Sequence, residues 1–372
     1  MPRDGKLLGK PEHETSASVP ALILTAILRG IAILLAVGWH VNHVDTGMAW
    51  LNLLLWPGAR FGWAGVDLFF VLSGFLVGRL IFREIDRTGT LDLRRFFLRR
   101  VLRLWPVLYL FLIAMAFSGA APLREFFWQI ALHIQNYADV SVATHSWSLA
   151  VEEHFYLIFA LGLTVLFAFK KQVTLLPGIF VGIIVLSPVL RGLGFWLGAD
   201  FVQLQQQTHY RLDGISAGAL LAYLTVFKPD VFKRVHQQKV LQVLGLIAGV
   251  IFVSMVSKNT PAGAIIGYSM AALGGTSALL LLHQSGIERH LPRLCFALSF
   301  VGLISYPLYL WHVPVVRILE IGLHGKIPVW ALVVLQYSLS ILFSYVVTRV
   351  LERPMMALRD KIMPTGHASV SA

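Results

Sequence analysis

Apolar residues along this chain gather into runs that are too long for an ordinary soluble core. A helix needs about 20 apolar residues to cross the hydrocarbon of a bilayer. Ten segments meet or approach that length: 20–42, 64–82, 101–118, 149–169, 173–198, 212–227, 240–257, 262–283, 297–319 and 329–351. The sixth is short, and the third contains Pro106. A further run at 126–137, FFWQIALHIQNY, is apolar but too short to span, and reads as an interfacial or re-entrant piece. Residues 1–19 are polar and mixed in charge, so the first run is expected to remain as a signal anchor. The pattern predicts an all-α, polytopic transmembrane bundle of about ten helices. Its membrane domain covers 20–354, between a tail at 1–19 and a partly disordered tail at 355–372.

Composition agrees with the pattern and charge orients it. The 372 residues are 57% hydrophobic and 13% charged, with a mean hydropathy of +0.72. Soluble domains carry about 25% charged residues, so lipid is the expected main solvent. The formal net charge of +12 would fit nucleic acid, but its distribution fits membrane topology better. With the N-terminus inside, the inner segments hold 21 of the 31 Lys and Arg, including Arg94, Arg95, Arg99, Arg100 and Arg103. The outer segments hold six: Arg60, Arg124, Arg191, Arg211, Lys258 and Lys326. That bias places both termini in the cytoplasm, with no nucleic-acid partner. The lone Cys295 allows no intramolecular disulfide. No Cys/His cluster shows metal-ligand spacing, so no metal is expected.

Ionisable side chains within a membrane are costly and therefore mark candidate sites. Arg29 and His40 lie eleven residues apart on the first span, which puts them on one helical face about 16 Å apart. His40 is expected near the outer end, where an interfacial histidine is the plainer alternative. Asp67 begins the second span, where the helix dipole alone would favour a carboxylate. On that span Gly74-x-x-x-Gly78 allows close helix packing. Arg99, Arg100 and Arg103 form a fork at the inner face, either anchoring topology on lipid phosphate or capturing a soluble phosphate. Glu152 and Glu153 enter the fourth span together, and at least one must face a polar cavity. Glu152 and Tyr156 share a face. Arg211 and Asp213 open the sixth span, with a surface ion pair as the bland alternative, and His312 lies in the outer half of the ninth. Two polar layers emerge. His40, Asp67, Glu152, Arg211, Asp213 and His312 form the outer one, and Arg29, Arg79, Arg100 and Arg103 the inner one.

Seven motifs occur in order over residues 29–354: RGIAILLAVGWH (29–40), GVDLFFVLSGFL (65–76), FFLRRVLRLWP (96–106), HSWSLAVEEHFYL (145–157), RLDGISAGALLA (211–222), SYPLYLWH (305–312) and ERP (352–354). In these the chain resembles the bacterial integral-membrane acyltransferase-3 family, which includes O-acetyltransferases of surface polysaccharides. The resemblance implies a ten-helix catalytic bundle in the inner membrane and an acyl-CoA donor, commonly acetyl-CoA. It also implies a lipid-linked or surface glycan as acceptor. Arg29 and His40 match the family's Arg/Lys-x10-His pair, Arg100 and Arg103 its Arg-x-x-Arg pair, and Glu152 the carboxylate of its WSLxxE run. The extracytoplasmic esterase-like domain of many relatives is expected to be lacking, since the sequence stops shortly after ERP.

The expected mechanism uses both layers. Arg29, Arg100 and Arg103 bind the donor's phosphates from the cytoplasm. His40 acts as general base or transient acyl carrier, supported by Glu152 or Asp67. Trp147, Tyr156, Arg211, Asp213 and His312 are the candidate substrate-binding residues. A secondary transporter is the rival, and it would call for internal repeats and paired Gly/Pro-broken helices. The sequence shows neither.

Overall fold

The computed structural model describes residues 18–363 except 42–44, 120–121, 123–124, 139, 141 and 169–172; for 18–22, 167 and 168 only the backbone is described. The tail before Ser18 and the residues after Met363 lie outside the described residues. Among the described residues all regular structure is helical. In chain order the helices are α1 Ser18–Val41, α2 Ala49–Phe61, α3 Gly65–Thr88, α4 Leu93–Phe117, α5 Phe127–Ala131 and α6 Trp147–Ala168. Next come α7 Leu176–Trp196, α8 Phe201–Gln206, α9 Leu212–Phe227, α10 Pro229–Gln237, α11 Lys239–Met255 and α12 Tyr268–Leu282. The chain closes with α13 Ile287–His290, α14 Pro292–Leu303, α15 Ser305–Leu323, α16 Val329–Val347 and α17 Arg353–Ile362. Seven segments are long and apolar enough to cross a membrane, nine if each of two bent helix pairs is one span. The sixteen-residue α9 is apolar but shorter. Each of the ten apolar runs is thus met by helix.

The details correct the pattern in four places. Pro106 does not interrupt α4, which runs through it for 25 residues. The Asp92 carboxylate starts that helix by accepting the Arg95 backbone N–H at 3.0 Å. The stretch 43–63, which separates the first two apolar runs, contains α2, joined through the turn Gly62–Ala64 to α3. The ninth run is not one straight helix: α14 and α15 meet at 75° around Ile304. A second pair, α10 and α11, bends by 69° at Gln238. Broken helices are therefore present, contrary to expectation. No Gly or Pro stands at either breaking residue, so the punctuation that would announce a break is missing there.

Helix directions follow from contacts at successive levels. On α3 and α9, Asp67 meets Arg211, Gly74 meets Ile215, and Phe82 meets Tyr223, so the two run parallel. A Cβ on Gly74 would collide with the carbonyl oxygen of Ile215; the glycine permits backbone-to-backbone approach there. On α6, Trp147 meets Phe70 and Phe159 meets Phe82, again parallel to α3. Helices α1 and α15 run the other way, side by side, as the contacts below show. The core between α3, α6, α7 and α9 is filled at one end by the rings of Phe82, Phe159, Phe180, Tyr223 and Phe227.

Candidate functional site

Three polar groups are set into this apolar bundle. The first is a set of histidines. His40 near the end of α1 lies beside His312 of α15, with His40 Nδ1 and His312 Nε2 3.1 Å apart. His145, in the short turn Thr144–Ser146 that leads into α6, completes the set. Its ring centroid is 6.4 Å from that of His40 and 5.5 Å from that of His312. His312 and His145 are buried, whereas His40 is exposed. Tyr309, one turn back from His312, donates to the His145 carbonyl and shares a 2.7 Å hydrogen bond with the Ser148 hydroxyl. Among the described residues no group of three or more His, Cys, Asp or Glu is arranged to hold a metal ion.

The second group lies deeper along the same helices. Arg29 Nε donates to the Ser305 hydroxyl at 3.1 Å. Contacts from Arg29 to Ser305 and from His40 to His312 make α1 and α15 parallel neighbours. Arg29 is within Coulombic reach of Glu352, Glu152 and Arg100, and Arg103 of Arg29, Arg100 and Glu352. Arg100 lies over the Tyr156 ring, 4.3 Å from its centroid. Glu152 Oε2 accepts hydrogen bonds from the Ser73 hydroxyl at 2.7 Å and the Tyr156 hydroxyl at 2.8 Å. Glu352 stands on a π-helical turn, Thr348–Glu352, between α16 and α17; such turns often occur at functional sites. The expected donor-binding residues Arg29, Arg100 and Arg103 are therefore together.

The third group is a network of buried ion pairs. Arg211 binds Asp67 at 2.6 Å and Arg191 binds Asp213 at 3.0 Å, all four side chains no more than 2% exposed. Ser269 donates to Asp213 at 2.7 Å, and Arg211 stacks over Tyr268, 3.6 Å from the ring centroid, with Trp147 at 5.2 Å.

This arrangement revises the two-layer expectation. Glu152 belongs with the arginines, not with the outer residues, because Ser73 and Tyr156 hold it a turn beyond Ser148. Arg211 and Asp213 are not a surface pair; each is buried and has a different partner. Arg191, counted among the outer-segment charges, sits inside α7. Arg79 lies apart from the other inner arginines, over Phe75. Arg99 turns away to α17, where it pairs with Asp360 at 3.0 Å. Trp147 and Tyr156 are both buried, one against Arg211 and one against Arg100. His145, Tyr309, Ser305 and Glu352 were missed as site residues. All four lie inside the motifs HSWSL, SYPLYLWH and ERP, which were the available signal.

Comparison with known proteins adds the following. A family model described as an acyltransferase domain matches residues 26–349. The peptidoglycan O-acetyltransferase OatA of Listeria monocytogenes is 27% identical over 356 residues, covering 88% of this chain and 54% of the relative. A putative O-acetyltransferase of Staphylococcus aureus strain COL is 27% identical, covering 88% and 56%. The O-acetyltransferase OatA of Staphylococcus aureus strain NCTC 8325 is 26% identical over 354 residues, with the same coverage. The chain spans about half the length of these curated relatives. No solved structure matches.

Proposed function

Since the chain belongs to the acyltransferase family that it matches over residues 26–349, we propose that it transfers an acetyl group from acetyl-CoA to a hydroxyl of a lipid-linked or surface glycan. The relatives that are O-acetyltransferases supply the reaction class, and the Listeria relative's peptidoglycan supplies the chemical type of acceptor. The observation that carries the reading is a polar column strung on α1 and α15. At one level stand Arg29 and Ser305, with Arg100 and Arg103 close by; at the other stand His40 and His312.

The arginines hold the donor's phosphates, for which guanidinium forks are suited. Glu152 and Glu352 keep those arginines charged and in place in a medium of low dielectric. The donor's flexible arm carries the thioester along the column to His40. There the exposed imidazole takes the proton of the acceptor hydroxyl, whose oxygen attacks the thioester carbonyl. The two broken spans are a feature that a secondary transporter also uses; a transporter would move its solute without altering the donor.

The test is to incubate the purified protein, in lipid vesicles, with labelled acetyl-CoA and candidate glycan fragments, and to identify products by mass spectrometry. Acetylated glycan that disappears in His40→Ala supports the reading. Donor left intact with every glycan, or transfer undiminished in His40→Ala, overturns it.

A further inference from the structure

The histidine group contains more than the catalytic candidate, and its hydrogen bonds decide where protons sit. His312 is wholly buried, and its Nδ1 faces two backbone carbonyl oxygens, Leu308 at 3.0 Å and Tyr309 at 2.8 Å. A carbonyl oxygen can only accept, so the proton of the neutral His312 ring is on Nδ1. Its Nε2 is then a lone pair, and that lone pair faces His40 Nδ1 at 3.1 Å. His40 Nδ1 meets a second acceptor, the Ala36 carbonyl, at 3.0 Å. The His312 Nε2 and the Ala36 carbonyl both accept, so His40 Nδ1 is the donor to them. The remaining nitrogen of the neutral His40 ring, Nε2, carries the lone pair.

We propose that His312 is the positioning residue of His40, its Nε2 accepting the Nδ1 proton of His40 so that His40 Nε2 is the reactive nitrogen. This rests on the role of His40 argued above. In the step, His40 Nε2 takes the proton of the acceptor hydroxyl while the hydroxyl oxygen bonds to the thioester carbon. The C–S bond breaks, its electron pair leaves with sulfur, and the proton passes from Nε2 to the thiolate. The products are an ester and a thiol. Between the two proton movements the His40 ring is a cation, and its bond to His312 Nε2 becomes charge-assisted, about twice as strong as a neutral one. A buried imidazole thus does the work that a carboxylate does in a Ser-His-Asp arrangement.

The other candidates for this role are committed elsewhere. Asp67 is paired with Arg211, and Glu152 with Ser73 and Tyr156. His145 gives its Nε2 to the Leu310 carbonyl at 3.1 Å, and no hydrogen bond joins it to His40. The motif SYPLYLWH marks His312 as a candidate for binding substrate; the two carbonyls behind its ring point to a different role, because they leave one nitrogen as an acceptor.

The experiment has a kinetic arm and a spectroscopic arm. His312→Leu should lower kcat by roughly 10²- to 10⁴-fold, the range of general acid–base contributions, with the donor KM nearly unchanged. His312→Gln should recover at least about tenfold of that loss, because its Oε1 can replace the acceptor at Nε2. Nitrogen NMR of histidine-labelled wild type, with His40 assigned by its loss in His40→Ala, should show the unprotonated nitrogen at Nε2. A kcat near wild type in His312→Leu overturns the proposal. So does a loss confined to KM, or a Gln variant no better than Leu, or the unprotonated nitrogen at Nδ1. The NMR arm decides even if His312→Leu fails to fold. Transfer that survives His40→Ala would instead defeat the underlying reading of His40, which the tautomer measurement does not depend on.

Discussion

Glu152 shows what a single residue's surroundings add to its position in the chain. Its sequence neighbours place it near the mouth of the fourth span, where a role beside His40 is the natural expectation. Its side chain instead accepts two hydrogen bonds, from the hydroxyls of Ser73 and Tyr156, and the Tyr156 ring lies against Arg100. If Glu152 serves the arginines, Glu152→Gln should raise the donor KM about tenfold or more, since a charge-assisted contact contributes roughly 1.5–3 kcal/mol. Its kcat at saturating donor should fall much less; steady-state kinetics over a range of donor concentrations separates the two. A loss in kcat alone would return Glu152 to the imidazole. Asp67 gives a stability prediction at the same scale. Breaking its buried pair with Arg211 leaves an uncompensated charge, so Asp67→Asn should cost about 3–5 kcal/mol, whereas Asp67→Leu with Arg211→Met should cost less. Thermal unfolding in detergent reads both, and an Asp67→Asn protein as stable as wild type would contradict the pairing. His40, Arg29, Arg100 and Arg103 were legible in sequence because motif and helical spacing agree on them. The partners of Asp67 and Glu152 were not, because they come from helices whose relative rotation no local pattern records.

Elements were legible where length decides and illegible where packing does. Ten apolar runs gave helices, and the Gly74-x-x-x-Gly78 spacing marked the face of α3 that meets α9. The break at Ile304 was hidden because apolar residues continue through it. It matters to the site, since α15 begins at Ser305, the partner of Arg29. The glycine face predicts a sharp contrast between two substitutions. Gly74→Leu must push α3 off the α9 backbone and should destabilise by at least about 1–3 kcal/mol. Gly182→Leu on α7, where nothing lies within 4 Å of an added Cβ, should leave the melting temperature nearly unchanged. Equal effects would mean that α3 and α9 are not in backbone contact.

For the whole molecule, the parallel run of α3, α6 and α9 against α1 and α15 agrees with the charge bias, which assigns the histidine end to the outside. Single cysteines in a Cys295→Ser background test that assignment. Placed at Gly198 or Gly325 they should react with an impermeant thiol reagent applied to intact cells, and at Gly89 or Gly286 they should not. The opposite labelling would invert the bundle and put the histidines on the cytoplasmic side. Sequence could reach this level because the positive-inside rule sums over many residues, and so survives individual errors such as Arg191.

Helix α9 is about 24 Å long at 1.5 Å per residue, short of the roughly 30 Å of hydrocarbon in a bilayer. It lies between Arg211 at one end and Lys228 at the other, and most of its residues are covered by protein rather than lipid. The rings of Phe82, Phe159, Phe180, Tyr223 and Phe227 pack around its Lys228 end. A helix largely covered by protein has little hydrocarbon thickness to match, so the hydrophobic mismatch of a sixteen-residue span falls on its longer neighbours instead.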